Sequence, residues 1–115
     1  MLRNRQQLDL SPQQVQDLEG LRDEYQRQAV RSEADIRVVE MDLQRLLKAD
    51  PVDLEQVKAK LQEIERLKTE LRLERIRAIE QGKALLNPNQ REKLQALLGE
   101  SRYSRLAEQP TEDQH

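Results

Sequence analysis

Cysteine, tryptophan and phenylalanine are missing from this chain of 115 residues, and two tyrosines are its only aromatics. The absence of cysteine excludes disulfides and thiolate metal centres. The absence of large rings argues against a rounded globular core and for helices packed along narrow seams. Glycine occurs three times, widely spaced, so no Gly-rich loop is available to cradle a phosphate. The one histidine is His115, the last residue, where no periodic pattern surrounds it. A histidine so placed is far more often a passive surface group than a ligand or a base. No apolar run approaches the ~20 residues that cross a bilayer. The start, Met1 to Gln7, lacks the apolar stretch of a signal peptide. Composition therefore leaves the location open: the cytosol, or a secreted or anchored protein whose leader has been removed.

Charge is abundant but balanced. Twenty-two acidic and 20 basic residues give a net charge of −2, mixed along the chain, which offers no basic footprint for nucleic acid. Glu63 with Arg66, Glu65 with Lys68, and Arg66 with Glu70 sit at helical neighbour spacing, where surface ion pairs contribute only a few tenths of a kcal/mol each. Acidic pairs such as Asp35 with Glu40, or Glu70 with Glu74, can hold a cation only loosely, and nothing builds a closed coordination shell. No catalytic residue, no cofactor and no metal site is expected. The chain does not read as an enzyme.

What the chain does have is apolar spacing of three and four. From Ser11 the stripe runs Val15, Leu18, Leu21, Tyr25, Ala29, Ile36, Val39, Leu43 and Leu46, predicting a helix over about 12–48. Gly20 weakens it by about 1 kcal/mol relative to alanine, and Ser32-Glu33-Ala34-Asp35 leaves room for a kink near 32. Pro51 ends that helix, since the residue before a proline is pushed away from helical geometry. Asp53 then caps a second helix over 54–86, with Gln56 at the capping-box position and Val52 with Val57 as a hydrophobic staple. Its stripe is Leu54, Val57, Leu61, Ile64, Leu67, Leu71, Ala78 and Leu85, widened by Leu73, Ile76 and Ile79. A third helix covers 88–98, with Gly99 as its stop. Residues 1–10 read as a polar lead-in, 11–100 as one all-helical domain, and 101–115 as a mostly disordered tail. The expected fold is all-α: a long antiparallel hairpin plus a short terminal helix. Stripes this wide need a second copy to cover them, so a homodimer is expected.

One cluster suggests a binding surface. Lys68, Arg72 and Arg75 line one side of the second helix, with Leu71, Leu73, Ile76 and Ile79 around them. Long basic stems covering apolar surface are the common outcome of such a pattern. The alternative is a greasy, basic face that accepts unfolded or amphipathic segments without demanding a sequence.

A short signal occurs twice, as Leu10-Ser11-Pro12-Gln13-Gln14 and Leu86-Asn87-Pro88-Asn89-Gln90. Each copy reads as a helix start. Ser11 or Asn87 caps the first free N–H groups, and Pro12 or Pro88 fits the first helical position. Gln14 or Gln90 returns a bond to the cap's own backbone. At the first copy Leu10 and Val15 can close a staple. Over roughly residues 8–100 the chain resembles the bacterial LTxxQ-motif proteins of the periplasmic Spy/CpxP group, with the zinc-resistance protein ZraP and the metal sensor CnrX as more distant relatives. Ser and Asn here replace the usual Thr, which the capping role tolerates.

The resemblance implies a periplasmic, curved antiparallel dimer that binds unfolded clients without ATP, or an envelope signalling protein, with the leader removed. A second implication is a heavy-metal sensor signalling to a membrane partner, for which carboxylates and Met41 would be the ligands. The missing imidazoles in the long helices count against it. A third reading, outside the resemblance, is an architectural coiled-coil spacer.

Overall fold

A computed structural model describes residues 1–98, so Gly99, the expected tail and His115 lie outside the described residues. Three α-helices follow a single turn of 3-10 helix at Leu2–Asn4: α1 (Pro12–Leu47), α2 (Leu54–Ala84) and α3 (Pro88–Leu98). Each begins where its cap predicts. At α1, Ser11 Oγ accepts from the Gln14 N–H at 3.1 Å, and Gln14 Oε1 accepts from the Ser11 N–H at 2.9 Å. At α3, Asn87 and Gln90 exchange the same two bonds at 2.8 and 2.9 Å. The start of α2 differs. Asp53 Oδ1 accepts from the Gln56 N–H, but the Gln56 side chain donates to Asp53 Oδ2 at 2.8 Å instead of accepting from the backbone. An acidic cap draws the amide's N–H toward its charge. Those bonds hold the Asp53 carboxyl below its ordinary pKa, the side-chain bond from Gln56 contributing most.

Helix α1 runs unbroken through Ser32. The helical register of Ala29, Ile36, Val39 and Leu43 continues across that residue, and burial of the stripe outweighs the local capping option. The turn after α1 closes through Lys48 and Ala49 N–H bonds to Arg45 and Leu46, and the Asp50–Pro51 peptide is cis. Helix α2 ends at Ala84, two residues short of the expected limit. There the Leu85 and Leu86 N–H groups turn back to Gly82 and Lys83, and Arg91 Nη1 donates to the Leu86 carbonyl at 2.7 Å. A carbonyl of the α2–α3 turn is thereby satisfied by a cation.

The two long helices pack against each other, and the chain divides into two compact units. In the unit Arg27–Leu71, Ile36 and Val39 of α1 bury against Ile64 and Leu71 of α2, with Ala29, Leu43 and Leu67 completing the cluster. Lys60 lies between Asp42 at 3.7 Å and Glu63 at 3.6 Å. Glu63 thus faces Lys60, one turn toward the N-terminus, whereas Arg66 pairs with Glu70 at 2.9 Å.

The other unit joins Met1–Gln26 to the chain from Arg72 onward. Its core corrects the reading of residues 1–10 as a polar lead-in. Leu8 is fully buried and packs with Leu86 and Leu94, while Met1 and Leu10 close the cluster. Asp9 sits in the left-handed region at φ 56°, a conformation that aspartate adopts more readily than most residues. The backbone of this segment is held by Leu8 N–H to Asn4 O at 2.9 Å and Leu10 N–H to Arg5 O at 3.1 Å. The Met1 thioether and Leu18 lie close over Gly82, so a Cβ there requires the flexible Met1 side chain to shift. Burial, with Arg3 nearby, lowers the pKa of the Met1 ammonium.

Candidate functional site

Both copies of the repeated signal lie in the unit that holds Met1–Gln26, and their glutamines meet. Gln14 Nε2 donates to Gln90 Oε1 at 2.8 Å, and Gln90 Nε2 donates to Gln14 Oε1 at 3.0 Å. Each amide also reaches backbone. Gln14 Nε2 donates to the Leu85 carbonyl at 2.9 Å, and Gln90 Nε2 lies 3.1 Å from both the Leu8 and Asp9 carbonyls. Gln90 is buried, and every polar atom of its amide has a partner. Lys93 adds a bridge to Asp9 at 3.3 Å. Leu10, Leu86 and Leu94 place apolar surface around this polar knot. Pro12 and Pro88 take the first helical positions, where no N–H bond is lost. The arrangement fastens α1, the α2–α3 turn and the first ten residues together.

The seven residues expected to form a binding surface differ in exposure. Lys68 and Leu71 belong to the unit Arg27–Leu71, and the other five to the unit that resumes at Arg72. Leu71 is 6% exposed and sits in the core with Ile36, Val39 and Ile64, so its side chain is not offered to a partner. Helical arithmetic explains the correction: Leu71 continues the inward row of Ile64 and Leu67. Lys68 is half-buried. In the other unit Arg72, Ile76 and Ile79 are half-buried, and Leu73 is 48% exposed. Arg75 donates from Nε to Tyr25 Oη at 3.2 Å, a contact that holds the guanidinium across from α1. Arg77 pairs with Glu74.

A surface absent from the sequence reading lies on α1. Val30, Val38 and Met41 are 64%, 56% and 61% exposed, on the side of the helix away from Ile36, Val39 and Leu43. An open depression of about 430 Å³ runs beside Met41, lined also by Arg37, Glu40, Leu43 and Gln44. The signal was available, because Val30, Ala34, Val38 and Met41 recur at four, four and three. It was masked by the stronger stripe on the opposite face. Among the described residues no three His, Cys, Asp or Glu side chains group closely enough to hold a metal ion.

The family described as LTXXQ motif family protein matches residues 3–98, nearly all of the described chain. The chain belongs to the LTXXQ motif family. Comparison with curated proteins and with solved structures gave no match. Both LTXXQ copies depart from the family's letters at threonine, yet each retains its cap and its glutamine. In this LTXXQ chain the glutamine does more than cap, because it ties one motif to the other. Among the described residues no helix is long and apolar enough to cross a membrane.

Proposed function

We propose that this chain is a periplasmic envelope-stress protein of the Spy/CpxP kind, holding unfolding or partner proteins without ATP and without catalysis. Membership of the LTXXQ motif family over residues 3–98 is the observation that carries this reading. The surface of α2 supports it. Leu73 is open to solvent, and Ile76 and Ile79 are partly so, among the aliphatic stems of Arg72 and Arg75. Flexible side chains of this mixed kind accept many sequences weakly instead of one tightly. Within the unit Arg27–Leu71, Leu47, Leu54 and Leu61 leave apolar surface that a second copy would cover.

The test is light scattering from an aggregating client, with the protein added free of ATP and metal. Suppression at near-equimolar amounts, weakened when Leu73 and Ile76 become serine, supports the reading. Failure to suppress aggregation of any client, at low or high salt, overturns it. Sedimentation of the same samples reports the dimer, which Leu54→Ser with Leu61→Ser is expected to dissociate.

A further inference from the structure

The geometry points to the outer face of α1 between Val30 and Lys48 as a docking strip for an anionic phospholipid surface, separate from the client surface proposed on α2. Three observations meet there. Val30, Val38 and Met41 expose more than half their surface although each is apolar and each sits in a well-formed helix. At 100° per residue they fall with Ala34 within about 40° of one line, opposite the Ile36, Val39 and Leu43 core. The charges beside that line are all positive: Arg31, Arg37 and Arg45 lie within about 60° of it. The carboxylates of the same stretch, Glu33, Asp35, Glu40 and Asp42, are rotated about 80–120° away. Among the described residues, Arg45 alone of these cations has an acidic partner, Asp42 at 3.1 Å.

This charge pattern decides the occupant. A second copy laid on the same face in an isologous contact would bring guanidiniums against guanidiniums with no carboxylate between them. The face is also a single convex helix ridge, spanning about 27 Å at 1.5 Å per residue. The depression beside Met41 lies on its flank and not along the exposed row. A flat anionic bilayer fits better. The short apolar tips enter between headgroups while long basic arms on both sides reach the phosphates. With only three exposed apolar residues, attachment is reversible and depends on charge. A protein that guards unfolding chains would thereby be held close to a membrane without spanning it.

The experiment is co-sedimentation of the full chain with vesicles of phosphatidylcholine alone, or of phosphatidylcholine with phosphatidylglycerol. Binding to the anionic vesicles only, lost as salt is raised, is expected. Arg31→Gln with Arg37→Gln should weaken it about thirtyfold, and Val38→Ser with Met41→Ser should also weaken it. Circular dichroism should show both pairs folded, since all four side chains face solvent. Suppression of client aggregation by these variants should be unchanged, which keeps this test independent of the proposed chaperone action. Absence of vesicle binding at low salt, or equal binding to neutral vesicles, overturns the proposal. So does an acidic amphipathic peptide or a second copy that occupies the strip, seen as peptide binding or dimerisation abolished by the same variants.

Discussion

Gln14 and Gln90 present their amides to each other in a closed pair, each donating to the other's oxygen, at 2.8 and 3.0 Å, across 76 residues of sequence. A glutamate at this capping-box position would serve the helix start equally well. It would not serve the pair. The Gln90 amide nitrogen faces three oxygens, the Leu8 and Asp9 carbonyls and Gln14 Oε1. Gln90→Glu would set a carboxylate oxygen among them in a buried site. The expected loss is about 3 kcal/mol at neutral pH, the cost of leaving buried groups unsatisfied with a charge added. Its pH dependence has a definite sign. The folded state raises the new carboxyl's pKa, so stability is retained below the unfolded pKa and lost as pH rises through the folded one. Urea titrations of the variant and the parent at about pH 4 and about pH 7 check this. An equal deficit at both would show that the amide nitrogen is not what matters.

The two described glycines of the helices should respond oppositely to substitution. A Cβ at Gly20 meets nothing within 4 Å, so Gly20→Ala gains helix propensity with no clash. It is expected to stabilise the protein by about 0.5–1 kcal/mol. A Cβ at Gly82 would lie 3.0 Å from the Met1 thioether and 3.3 Å from Leu18 Cδ2. Met1 can swing aside for a single methyl, but not for a branched side chain. Gly82→Val should therefore cost about 1–3 kcal/mol through overpacking. Thermal unfolding of both variants reads the difference directly.

Acid should loosen the start of α2 before the other helix starts. Asp53 is the one charged cap, and its carboxyl is held below the ordinary value chiefly by the Gln56 side chain, with the Gln56 backbone N–H next. A depressed folded pKa means that this stabilisation is present above the unfolded pKa and fades as pH falls through the folded one. The caps Ser11 and Asn87 do not titrate. Asp53→Asn should accordingly flatten the acid limb of the stability profile while leaving neutral stability nearly unchanged. Amide hydrogen exchange at Glu55 and Gln56 across the acid range would show it. Equal acid sensitivity at the start of α3 would contradict it.

The features legible in the sequence are those fixed by local chemistry. Ser11, Asp53 and Asn87 each stand one residue before a helix because capping uses groups within four residues of one another. The stripe from Ile36 to Leu43 is equally local, since burial on one face imposes the helical period. Leu8 was illegible because it stands alone in Gln6-Gln7-Leu8-Asp9, with no repeat to reveal its burial. Its partners Leu86 and Leu94 are nearly a chain length away. The glutamine pair was half legible: each cap could be read, but not that the two caps share one knot.

Leu71 and Leu73 give the last prediction, since two positions on one helix separate stability from binding. Leu71 is 6% exposed and lies in the core; Leu73 is 48% exposed on the other side of α2. Leu71→Ala removes methyl groups from packed surroundings and is expected to cost about 2–5 kcal/mol. Any loss of client protection in that variant would follow from unfolding. Leu73→Ser removes only solvent-facing apolar surface, so its effect on stability should stay within about 0.5 kcal/mol. If α2 holds clients through this side, Leu73→Ser should lower protection against aggregation while its urea midpoint matches the parent. Full protection by a folded Leu73→Ser protein, including when combined with Ile76→Ser, would move the client surface off α2. Measuring the urea midpoint and light scattering on the same preparations distinguishes the two outcomes, because only a surface residue can change the second without the first.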